Sequence, residues 1–290
     1  MTVIDDVRTT AEGVPTAPRR APRVSRGQVI GAIPLAMIVL ITIFGPLFVP
    51  FSATDVVAAS NLPPDAKHWM GTDSSGLDVF SRVVVGFRYD VLVALSTTII
   101  ATIGGILVGL VIGMLEPRRD VSGASARLLA RGIDLFQAIP SIVVALALVA
   151  FLGSSVVALA VAIALILGPV QVRLVRTETL KVRGDAYLDA ARMAGETEWG
   201  LTMRHALPNA SWPALENASL IFGSAILVTS TLGFLGVGLQ PPTPEWGAML
   251  STAASDAAVG RWWSALFPAL AIIATVSAAA FAGHRLLTRR

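Results

Sequence analysis

The chain has no cysteine, only two lysines among its 22 basic residues, and just 14% charged residues in a length of 290. The missing cysteine excludes a disulfide framework, a thiolate nucleophile and any cysteine-based metal site. The two lysines, Lys67 and Lys181, do not follow a glycine. The chain therefore lacks the Gly-x-x-x-x-Gly-Lys-Ser/Thr loop that cradles nucleotide phosphates. His68, His205 and His284 lie far apart, so no histidine cluster suggests a metal centre. No hydrolytic triad and no paired acids within an apolar run stand out, which argues against an enzyme. Charge is scarce beside the roughly 25% of an ordinary soluble domain.

Apolar residues fill the space that charge leaves, at 54% with a mean hydropathy of +0.71. Six runs are candidate spans: Val29–Val49, Val91–Leu115, Ile133–Leu152, Ser155–Val172, Asn217–Leu239 and Ser264–Leu286. Each meets the length of about 20 residues that a bilayer core demands. Gly153-Ser154 suits a tight turn between the third and fourth. Pro34 and Pro46 interrupt the first, which neighbouring groups in a membrane tolerate. The predicted fold class is all-α, a six-span membrane protein occupying 29–290. Residues 1–28, with Pro15, Pro18, Pro22 and Arg19, Arg20, Arg23, Arg26, are expected to form a disordered basic tail. The run after them exceeds the core of a cleavable signal, so it reads as a retained span.

The basic residues predict the orientation. Arg8, Arg19, Arg20, Arg23 and Arg26, Arg118, Arg119, Arg127 and Arg131, Arg173, Arg176, Lys181, Arg183, Arg192 and Arg204, with Arg285, Arg289 and Arg290, fall on one side. Lys67, Arg82, Arg88 and Arg261 fall on the other. Eighteen against four places both termini in the cytoplasm by the positive-inside rule.

Residues 185–209 are the charged exception between two apolar runs. The spacing predicts an alanine-rich helix over 186–194, a left-handed Gly195, then a second helix capped by Thr197 with Glu198 at its positive end. Pro208 is expected to close the element. Ala190, Ala191 and Ala194 permit close approach of another surface, and Tyr187, Trp199 and Met203 offer larger anchors. An amphipathic helix lying on anionic lipid through Arg192 and Arg204 is the blander alternative. Its apolar face is thin, and Asp185, Asp189, Glu196 and Glu198 oppose it.

Asp189-Ala190-Ala191, Gly195 and Leu207-Pro208 resemble the Glu-Ala-Ala, Gly, Leu-Pro signature of the inner-membrane permease subunits of ABC importers. Two positions depart: Asp189 stands for Glu, and His205 occupies a usually aliphatic site. HWMGTDSSGLDVFSRVVVGFR (68–88), DLFQAIPSIVVALALV (134–149), GFLGVGLQPPTPEWGAML (233–250) and WWSALFPALAIIATV (262–276) are similar to the C-type subunit of the dipeptide, oligopeptide and nickel branch. The likeness runs over about 30–276; after it, Gly283-His284-Arg285 departs from the family's usual acidic ending.

The resemblance implies a type I importer permease of the bacterial inner membrane, for peptides or alternatively nickel or another small solute. It implies a second homologous permease, two ATPases and an extracytoplasmic substrate-binding protein as partners, in a lipid bilayer and without nucleic acid. ATP and Mg would bind the ATPases, and this chain would need no cofactor. Tyr187, Asp189, Ala190, Ala191, Ala194, Gly195, Trp199, Met203, Leu207 and Pro208 would then dock an ATPase. Gly71, Thr72, Asp73, Gln240, Pro241 and Trp246 become candidates for an outer gate or binding-protein contact, with Trp246 suited to the headgroup level. Ser96, Thr97, Ser224, Thr229 and Ser230 are candidates for a polar pathway, although such hydroxyls also bond back to their own helix.

Two other readings compete. An ion-coupled secondary transporter would place ionisable groups at midplane depth, whereas Asp134, Gln171 and Glu216 lie near span ends. A membrane-anchored scaffold would need a sizeable soluble domain, for which the loops are too short.

Overall fold

The structure is a computed structural model and describes residues 26–286. Most of the expected basic tail lies outside the described residues, and its last three residues instead open the first helix. Among the described residues there is no β-strand, only an isolated bridge between Thr72 and Asp78.

Helix α1, Arg26–Phe44, carries Pro34 and ends in a 3-10 turn at Gly45–Leu47. Helix α2, Val79–Leu115, runs for 37 residues. It starts twelve residues before the expected Val91, so Val79–Phe87 is continuous with the second span. Asp78 starts α2, accepting from Ser81 N at 2.8 Å while His68 Nδ1 lies 2.9 Å from its other oxygen. No proline lies between Asp78 and Leu115 to break the helix, and it runs on through Gly86 and Val91.

The third expected span is not one rod. Helix α3, Val121–Phe136, and helix α4, Ser141–Leu152, meet at a 99° bend. Pro140 causes the break, since it lacks an N–H and forces the residue before it out of the helical region. Gly153 then turns the chain at φ +87°. Ser155 caps helix α5, Val156–Arg183, which runs eleven residues beyond the expected end at Val172.

Helix α6 is Ala186–Met193, and helix α7 is the short turn Glu198–Gly200. A π-helical stretch, Leu201–Ala206, leads directly into helix α8, Leu207–Phe234. Pro208 therefore does not close the element. Leu207 N–H reaches back to Thr202 O, the wide π spacing, and Pro208 falls in a first turn that tolerates its missing donor. The fifth span accordingly starts before Asn217 and ends at Phe234, short of Leu239. Helix α9, Trp246–Ala258, occupies what reads in sequence as an outer loop, and helix α10 is Trp263–Leu286.

Five helical stretches are individually long and apolar enough to cross a membrane, and the bent α3–α4 pair makes a sixth. Their packing is led by α2 against α5. Gly105, Gly109 and Gly113, one turn apart, face Gln171, Val172 and Val175, and Thr179. A side chain at Gly109 would meet Val172 O at 2.6 Å, so these glycines let the two backbones close. Across the same layer Gln171, fully buried, donates to Thr102 Oγ1 and Ala214 O, each at 3.1 Å, and accepts from Asn217 at 3.3 Å. One amide thus joins α2, α5 and α8.

Candidate coupling site

The 185–209 segment forms the helix, turn and second helix expected from its spacing. Gly195 takes φ +89°. Its N–H bonds to Arg192 O at 3.1 Å and Glu196 N–H to Ala191 O at 3.1 Å, the paired bonds of a Schellman ending. Thr197 accepts from Gly200 N at 3.1 Å, and Glu198 lies in the first turn it caps. Open space surrounds the missing Cβ of Gly195, so the conformation alone selects glycine there.

Two leucines fix this element to the body. Leu188 and Leu201 are essentially fully buried, and neither stands out in the sequence among so many apolar residues. Opposite them Tyr187 is 42% exposed and Trp199 71% exposed, with Asp189, Ala190, Ala194, Gly195 and Pro208 also exposed. Ala191, Met203 and Leu207 are half-buried. His205 closes the elbow, with Nε2 3.0 Å from Glu196 Oε2 and its ring edge-on to Tyr187 at 5.9 Å. Asn209 donates to Tyr187 Oη at 3.2 Å.

Charges join the elbow to the ends of the spans. Arg192 bonds Asp189 at 2.8 Å and Glu198 at 3.0 Å, and Arg118, just past α2, lies 3.8 Å from Glu198. Glu116 makes a two-pronged bond to Arg176 of α5 at 2.6 Å on each prong. Arg173 reaches Asp134 of α3 at 2.8 Å. Trp199, Thr202 and Met203 also line a cavity of about 430 Å³ with Leu107, Leu110, Val111 and Met114 of α2. Trp199 and Met203 therefore face the flank of a span, while Tyr187 and the alanines lie on the free surface.

The residues expected at the opposite end are mostly structural closures. Gly71 turns at φ +73° with Leu62 O and the Trp263 ring filling the place of a side chain. Thr72 is buried, accepting from Leu62 N at 2.9 Å and donating to Ala59 O at 2.7 Å. Asp73 accepts from Ser75 N and Leu77 N. Arg82 Nε lies 3.7 Å from the Asp73 carboxylate. The same guanidinium donates to Ala53 O at 3.1 Å and Pro242 O at 3.4 Å, tying two loops to α2. Gln240 and Pro241 are exposed.

Trp246, suited by its sequence context to the headgroup level, is enclosed by protein rather than left facing lipid. It is fully buried, edge-on to Phe87 at 4.7 Å, with Nε1 donating to Val83 O at 3.1 Å. Gly86 leaves the room for its ring. Beside it lies a pair of acids, Asp90 of α2 and Glu245 at the start of α9, both fully buried. The sequence reading missed this pair because a span beginning at Val91 leaves Asp90 outside the apolar run. Of the pathway candidates, Thr97 is buried and donates to Ala160 O at 3.2 Å. Thr229 and Ser230 are buried, and Ser96 and Ser224 are half-buried.

Five to six apolar crossings packed through glycine seams define a multi-pass helical membrane protein. The chain belongs to the family of binding-protein-dependent transport system inner membrane components, whose model matches residues 105–290. It is 39% identical to the probable D,D-dipeptide transport system permease protein DdpC of Escherichia coli (strain K12), over 85% of this chain and 81% of that one. It is 36% identical to the di/tripeptide transport system permease protein DppC of Pseudomonas aeruginosa, covering 88% and 84% of the two chains. The glutathione transport system permease protein GsiD of Pectobacterium atrosepticum is 35% identical, over 83% and 79%. Membership makes this chain a membrane subunit of a transport system with other components.

Proposed function

We propose that this chain is a permease subunit of an ATP-driven importer of short peptides, and that its 185–209 elbow docks a separate ATPase. The observation that carries the reading is mechanical. An exposed helix–turn–helix, set by Gly195 and anchored by Leu188 and Leu201, continues without a break into a span. Force applied to the free surface at Tyr187 and the alanines is delivered to α8 directly, and to α2 through Glu198 and Arg118. The names of the related D,D-dipeptide, di/tripeptide and glutathione permeases support a peptide cargo. A second permease would complete the pathway, and an external binding protein would deliver the substrate. ATP and Mg belong to the ATPases in this reading.

The membrane is the bacterial inner membrane, with the elbow on the cytoplasmic side. ATP-driven closure of the ATPases pulls the elbow and opens the spans outward to receive peptide. The test is uptake of a labelled dipeptide into vesicles holding this chain with its partner permease and ATPases. Uptake should require ATP and loaded binding protein, with this chain alone silent in an ATPase assay. Uptake driven by a proton or sodium gradient without any ATPase would overturn the reading in favour of a secondary transporter.

A further inference from the structure

Asp90 and Glu245 are both 0% exposed, and the Trp246 N–H next to Glu245 bonds Asp90 Oδ2 at 3.2 Å, so the two acids share one buried pocket. Two carboxylates in such a pocket repel, and each offers only lone pairs, so one proton held between them relieves both. The surrounding donors say where it sits. Glu245 Oε1 accepts from Gly247 N at 2.7 Å and Oε2 from Ala248 N at 3.0 Å, which suits an ionised cap at a helix N-terminus. Asp90 Oδ2 accepts from Trp246 N at 3.2 Å, whereas Asp90 Oδ1 is buried without a hydrogen-bond partner. The bare oxygen is the one that must carry the hydrogen.

Among the described residues no cation neutralises the pair, and neither carboxyl has a charged neighbour except the other. Arg82, two turns away on α2, is committed to Asp73 and to the carbonyls of Ala53 and Pro242. From α8 the neighbours are Gly233 and Ser230, and Gly238 closes the remaining side. Residues 30–47, 156–172, 217–234 and 263–283 contain no Asp, Glu, Lys, Arg or His.

We propose that Asp90 and Glu245 form a one-proton binding site, with Asp90 Oδ1–H donating to the Glu245 carboxylate, and that this bond latches the 240–258 segment to α2. Loss of the proton to solvent leaves two carboxylates face to face in a site without a counter-charge, so the latch holds only while the proton is bound. The glycine seat at Gly86, Gly233 and Gly238 shapes the cradle for Glu245 and Trp246. Arg82 holds Pro242 to the same helix, so the latch and the guanidinium grip the segment at two points.

The test uses the full chain purified in lipid nanodiscs. Infrared difference spectra should show a protonated-carboxyl carbonyl band near neutral pH, and thermal melting should fall at alkaline pH, where the pair gives up that proton. In Asp90→Asn the amide donates in place of the acid. The band should vanish, with melting close to the acid-side wild-type value and a flatter pH dependence. Glu245→Gln, whose amide can donate to Asp90, should also remove the band, and it serves as the second variant if the first fails to fold. Absence of the band in the wild-type chain overturns the proposal, as does a band that persists unchanged in either variant.

Discussion

At the scale of single residues, Gly195 shows how much one backbone angle decides. Its φ of +89° and the empty space around it mean that a substitution meets no neighbour and is penalised by conformation alone. A β-branched side chain there costs about 1–2 kcal/mol, which is about a 5- to 30-fold loss of the docking-competent elbow. Gly195→Val should therefore uncouple ATP hydrolysis from transport or release the ATPase, while insertion of the spans is unchanged. Gly195→Ala should be milder. Asp189→Glu should be near neutral, because Asp189 is exposed and paired with Arg192 within its own helix. Co-purification with the ATPase and substrate-stimulated hydrolysis measure all three, and wild-type coupling in Gly195→Val would remove the elbow from the mechanism. This residue was legible because Gly after an alanine-rich helix has one dominant use. Asp90 was not, since an acid at the boundary of an apolar run looks like an interfacial residue until the helix is seen to continue through it.

Among the elements, the glycine face of α2 is a local pattern visible in the sequence, whereas its partner α5 and the bend of the third span are not. Glycines every four residues permit close approach, and only the fold decides which helix fills it. The bend at Pro140 and the run of α7 into α8 depend on which hydrogen bonds the chain makes around a proline, which hydropathy does not record. The missed helix α9 has the same origin: three prolines precede it and read as loop, while its cap, Glu245, is satisfied only in the folded arrangement. The seam makes its own prediction. Gly109→Ala places a methyl 2.6 Å from Val172 O, and overpacking of this kind costs about 1–3 kcal/mol. Gly104→Ala, one turn-step away with nothing near its Cβ, is the matched control. Melting in detergent should fall for the first and hold for the second; equal melting would show that the seam is not tight.

For the whole molecule, the uneven distribution of arginine predicts which way the bundle sits in the bilayer. Single cysteines at Ser125 should label only from the cytoplasm and those at Asp65 and Ala254 only from outside, all three positions being exposed. Outside labelling at Ser125 would invert the topology and detach the elbow from any cytoplasmic ATPase. That orientation also sets the meaning of a feature in the fifth crossing. Glu198–Phe234 is one continuous 37-residue stretch, about 55 Å long at 1.5 Å per residue. Such a length is a lever with its fulcrum inside the bilayer. A tilt of about 10° about its middle carries each tip about 5 Å, in opposite directions, by the same geometry. Its compliant joints, the π-helical stretch at Leu201–Ala206 and Pro213 in the next turns, both lie close to the handle. Stiffness beyond those joints means that a small shove on one side of the membrane arrives on the other nearly undiminished.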